Sequence, residues 1–311
     1  MAGVRLLVRS GIGARRVKSR TSTKGGVLTK AATQSIRDAS RWSYAAPFSS
    51  WSGLVRHIAA GGIAGLTAGI LVGGAGSRVF MRIAGAASGT RGAGRITEAG
   101  FTVGELTLGG TIALVVFIGI ISGIVGAGMY LAMRPWLGWA GKWRGVVFGI
   151  LLFGLTSATS DLMNPDNVDF SILGNGPLLV ALIIGLFVAF GVVADVVFGM
   201  LDRRLPDSDG GWWPVGVVYA VISAVGVMAV LSLGSAILSG GEGICGCEAP
   251  VRASWSFLLA FVATAVMWIS GIVRTPSWIA RTATVAGYLG TIGVFVFGLL
   301  RALSDAADII N

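Results

Sequence analysis

The sequence is short of charged and chemically reactive side chains. Only 12 % of its 311 residues are charged, it contains one histidine, His57, and no lysine follows Lys142. One histidine excludes haem held by two histidines and metal centres with several histidine ligands. Without a lysine in the last apolar segment, a retinal Schiff base is also excluded. The sequence has neither the phosphate-binding loop of ATPases nor a serine nucleophile motif, so it predicts no enzyme, no cofactor and no metal.

Most of the sequence consists of long apolar runs. Hydrophobic residues account for 54 % of the chain, which also has 49 glycines. A helix needs about 20 apolar residues to cross a hydrocarbon core of about 30 Å, and its backbone groups must be hydrogen-bonded within the helix. The sequence therefore predicts an all-α integral membrane protein, a polytopic bundle of about seven transmembrane helices. We predict spans at 57–77, 107–133, 144–161, 177–201, 213–239, 254–273 and 278–300.

Tryptophan residues cluster between these spans. Their amphipathic rings usually lie at the level of the lipid headgroups. We expect this of Trp136, Trp139, Trp143, Trp212, Trp213, Trp255 and Trp278.

The N-terminal region has a high density of positive charge. Residues 1–56 contain eleven lysines and arginines and one acid, Asp38. Next to a membrane bundle, anionic lipid headgroups are a nearer partner than nucleic acid, at about 1 kcal/mol per basic residue. Residues 27–43 fit either an interfacial amphipathic helix or a disordered, solvated tail. The chain divides into this basic, Ser/Thr-rich arm, the transmembrane bundle and a short C-terminal tail at 1–53, 54–303 and 304–311.

The basic residues also predict an orientation. Most of them lie on one side if the N-terminus is cytoplasmic, which places the C-terminus outside a cell (inner) membrane. The 78–106 loop, which contains four arginines, is the exception, and it would lie inside only if the first span were re-entrant. An arm rich in Arg and Ser is also typical of organellar transit peptides, so an organellar inner membrane is the alternative.

The first span carries small residues at regular spacing. Gly61, Gly65, Gly69 and Gly73 recur every four residues and share one side of the helix. Such a row lets a second helix approach to backbone contact. The contact is either within a single bundle, which we favour in so glycine-rich a chain, or at the seam of a homo-oligomer or channel.

One ionisable residue lies within a predicted span. Asp195 is about two turns from the end of the fourth span, and Asp202 follows seven residues later on the same face. An intramembrane carboxylate is costly unless it is paired or hydrated. The pair is a candidate ion or proton site, or else Asp195 is a structural partner of a neighbouring helix or of Arg203.

Polar residues also collect at the opposite side of the membrane. Arg78 and Arg82 follow the first span, and Asp161 ends the third. An arginine–carboxylate pair there would form a clamp or line an outward-facing cavity. The loop after Asp161 adds Asp166 and Asp169, but it lacks the spacing of a calcium loop, and turn formation explains its asparagines and prolines.

The two cysteines, Cys245 and Cys247, lie in a loop that the charge pattern places outside. With one residue between them, a disulfide would be strained. We expect a disulfide between the two cysteines that closes this loop. The alternatives are a disulfide to another chain and redox chemistry.

Three functional hypotheses follow. We favour an accessory or scaffolding component of a membrane assembly, which would contact other membrane subunits. The second is a small-solute or ion transporter, proton-coupled at Asp195. The third, a membrane enzyme that uses the outer aspartates, is the weakest because no catalytic motif supports it.

Overall fold

A computed structural model describes residues 48, 50–89, 108–159, 175–204, 221, 251–273 and 275–310. All regular elements among these residues are helices, and none of these residues is in a strand. Five segments are long and apolar enough to cross a membrane. The predicted all-helical fold is therefore confirmed for these residues, and five segments could cross a membrane, but the count of seven spans is not confirmed. The predicted span at 213–239 lies almost entirely outside the described residues.

Six helices, α1 to α6, build the described bundle. Their bounds are Trp51–Ser88 for α1, the contiguous pieces Leu108–Ala113, Leu114–Ile121 and Ser122–Met133 for α2, Arg144–Thr159 for α3, Gly176–Arg204 for α4, Val251–Val273 for α5 and Ser277–Ile310 for α6.

The chain reverses direction between α2 and α3. A 3-10 segment, Arg134–Trp143, joins the two helices, and Gly141 within it has a φ of 52°, which a glycine adopts without strain. Gly126 and Tyr130 of α2 contact Phe190 and Asp195 of α4 in the same chain order, so α2 runs parallel to α4. Gly145 and Gly149 of α3 contact Gly191 and Phe187 in the reverse order, so α3 runs antiparallel to α4. The apolar segment Leu114–Ala158 therefore contains two helices packed in opposite directions.

Glycines bring the helices to backbone contact. A Cβ atom on Gly65 or Gly69 of α1 would lie closer than 3.0 Å to the backbone of Gly123 in α2. Gly145 and Gly149 place α3 equally close to the α4 backbone. Such close approach is the usual basis of helix association in lipid.

Three members of the predicted row of small residues face α2. They are Gly61, Gly65 and Gly69, and Gly74 of the same helix lies against Val115 of α2. Gly74 belongs to a π-helical segment, Gly69–Gly76, whose turn is wider than that of an α-helix. This segment packs against a second π-helical segment, Leu114–Ile121 in α2.

Two helices extend beyond their predicted ends. The first span was predicted to end at residue 77, but Ser77–Ser88 continues the helix, so Arg78 and Arg82 are helical. The tail predicted at 304–311 is helical through Ile310, and Ile309 lies against Gly176 at the start of α4. Burial of apolar side chains against α3 and α4 explains this second extension.

One tryptophan is not at the bundle surface. Trp136 is fully buried, and its ring packs against Gly287, where it fills the space that a side chain would need. Its Nε1–H donates to Thr264 Oγ1 at 2.9 Å, so the polar tip needs no headgroup partner. The prediction of an interfacial ring was wrong for Trp136, whereas Trp139, Trp143, Trp255 and Trp278 are exposed.

Candidate functional site

The helix directions bring seven side chains to one end of the bundle. Arg56 and His57 lie in the first turns of α1, Tyr130 in the last turn of α2, and Arg144 at the start of α3. α4 brings Asp195 and Asp202 to the same end. We call the following residues the polar cluster: Arg56, His57, Tyr130, Arg134, Arg144, Asp195 and Asp202.

Asp195 is bound from two other helices. Arg144 Nε lies 2.7 Å from its Oδ1 atom, and the Tyr130 hydroxyl donates to the same oxygen at 2.5 Å. The Asp195 and Arg144 side chains are 15 % and 23 % exposed, so the pair is mostly removed from solvent. These contacts join α2, α3 and α4 through one carboxylate.

The backbone explains how this pair forms. A Cβ atom on Gly145 would lie 2.8 Å from the Gly191 carbonyl oxygen and 3.0 Å from the Asp195 Cβ. Because Gly145 has no side chain, the start of α3 lies directly against α4. Arg144, the neighbouring residue, therefore reaches the carboxylate.

Asp202 has a looser set of partners. Arg56 and His57 of α1 approach its Oδ1 at 4.0 and 3.9 Å, which is too long for strong hydrogen bonds. The Asp202 side chain is 35 % exposed. Although Asp195 and Asp202 were predicted to share a face, each has its own partners on different helices.

Aromatic rings surround the histidine. His57 is 8 % exposed and makes edge contacts with Phe48, Phe198 and Trp268, at centroid distances of 4.9, 4.8 and 5.8 Å. Tyr130 continues the cluster of rings, 5.6 Å from Phe198. The rings restrict the imidazole to the side that faces Asp202.

Arg134 lies between these groups. Its guanidinium carbon is 4.2 Å from the centre of the Phe198 ring, a favourable cation–π distance. The Nε–H is buried and has no hydrogen-bond partner among the described residues.

The polar cluster combines an ion pair, hydrogen bonds and ring contacts among the described residues. No group of three or more His, Cys, Asp or Glu side chains within the described ranges could hold a metal ion. The carboxylate that was the candidate proton site is engaged by an arginine and a tyrosine. Both contacts are made to the same carboxylate oxygen, Oδ1.

The outer cluster is only partly described. Arg78 has a buried Nε without a hydrogen-bond partner among the residues that the structure covers, and Arg82 is exposed. The aspartates predicted to join them, together with both cysteines, lie outside the described residues. These are Asp161, Asp166, Asp169, Cys245 and Cys247.

Sequence reasoning singled out only Asp195 and Asp202 of the polar cluster as candidate site residues. Arg144 and Arg134 were considered only as charges that determine orientation, and Tyr130 was not considered. Arg203, the candidate partner of Asp195, is exposed. The sequence signal that could have indicated the pair is the position of each residue along its helix. Arg144 lies at the start of α3, and Asp195 lies near the end of α4, so both are close to the same end of the bundle.

Comparisons with known proteins give no relative. No protein-family model, no curated protein and no solved structure matches this chain.

Proposed function

We propose that this protein is a non-catalytic accessory or scaffolding component of a membrane assembly. The observation that carries the proposal is the binding of Asp195 by Arg144 and Tyr130. A carboxylate that loads and releases an ion must change its partners during the cycle. A carboxylate held by an arginine and a tyrosine from two other helices instead fixes the arrangement of all three.

The packing supports the same function. Glycine contacts between α1 and α2, and between α3 and α4, leave no room for a side chain, so these pairs cannot slide without backbone collisions. Protein interiors packed in this way are not continuously deformable. A rigid bundle suits a subunit that offers a fixed surface to its partners.

We further propose a cell (inner) membrane with the N-terminus cytoplasmic. The helix directions place Arg56, Arg134, Lys142, Arg144 and Arg281 at the same end of the bundle. An excess of basic residues is typical of the cytoplasmic side.

The second candidate is an ion or proton-coupled transporter. It is favoured by the presence of an ionisable residue, Asp195, inside a span, where such a residue usually has a function. The two candidates differ in what the Asp195 contacts do. They stabilise the bundle in the first, and they must break during each cycle in the second.

The decisive experiment is a double-mutant cycle on the Asp195 contact. We expect Asp195→Asn and Arg144→Gln each to lower the free energy of unfolding by about 1–3 kcal/mol, because each leaves a partly buried partner unsatisfied. The double variant should lose less than the sum, by about 1 kcal/mol or more. Asp308→Asn is the matched control, because Asp308 is exposed on α6 and its change should have little effect.

Flux and assembly size complete the test. Wild-type protein in proteoliposomes should carry no proton or cation flux above that of empty liposomes, and on native gels it should migrate in an assembly larger than its 31.9 kDa chain. Flux in the wild type that Asp195→Asn abolishes in a folded protein would establish the transporter instead. A lone monomer in mild detergent would contradict the accessory role.

A further inference from the structure

We draw no further inference here: the strongest candidate, the exposed face of small residues on α4 at Ala181, Gly185 and Ala189, carries no proposal, because nothing among the described residues shows what covers it.

Discussion

A single methyl group added at Gly65 should weaken the bundle, whereas the same group added at Gly185 should not. At Gly65 a Cβ atom would lie 2.5 Å from the Gly123 carbonyl oxygen, and it would also collide with Ala127. No rotamer change relieves a collision with backbone atoms. The two helices must therefore move apart or lose their contact.

The expected difference follows from two opposing terms. Overpacking of a tight contact costs about 1–3 kcal/mol, and the backbone collision places Gly65→Ala near the upper end. Replacing a helical glycine by alanine contributes about 1 kcal/mol of helix propensity in the other direction. We expect Gly65→Ala to lose about 2 kcal/mol, and Gly185→Ala, with nothing within 4 Å of its Cβ, to gain up to about 1 kcal/mol.

The measurement is the free energy of unfolding in mixed micelles titrated with SDS, followed by tryptophan fluorescence. Both glycines lie inside helices, so the propensity terms largely cancel and the difference reports the helix contact. Gly69→Ala provides a second position with the same backbone collision. If Gly65→Ala and Gly185→Ala differed by less than about 0.5 kcal/mol, α1 and α2 would not be in the close contact described here.

Two further predictions concern the buried tryptophan and the outer loop. Trp136→Phe should cost about 2 kcal/mol of unfolding free energy, because it leaves a gap and removes the donor to Thr264, whereas Trp139→Phe, at a 62 % exposed position, should cost less than about 0.5 kcal/mol. Equal effects in urea or SDS titrations would contradict the buried position. Cys245 and Cys247 should react with a membrane-impermeant thiol reagent in intact cells after reduction, and labelling that requires permeabilisation would reverse the predicted orientation.

The sequence is sufficient to predict the class of fold and the face of the first span that contacts another helix. Apolar length alone predicts membrane helices, and four-residue spacing alone identifies Gly61, Gly65 and Gly69 as contact positions. The contact of Gly74 with Val115 could not be predicted, because Gly74 lies in a π-helical segment. That segment forms against a second one in α2, and such a tertiary contact leaves no local signature.

The polar cluster was only partly predictable for a similar reason. The sequence marks Asp195 as costly in a membrane, and therefore as a residue that needs a partner. Which residue pairs with it depends on how closely α3 approaches α4, and this is determined by Gly145. Trp136 shows the same limit, since its burial requires Thr264, which is 128 residues away in the chain, as an acceptor.

The length of α6 has a practical consequence for imaging the protein. Its 34 residues extend about 51 Å at 1.5 Å per residue, against a hydrocarbon core of about 30 Å. The far end is still anchored, because Ile309 lies against Gly176 and Ala302 packs with Phe153 and Val180. A small folded protein fused through a continuous helix after Ile310 would therefore be carried as one rigid body with the bundle. Such a fiducial would supply alignable mass outside the detergent belt in electron cryomicroscopy.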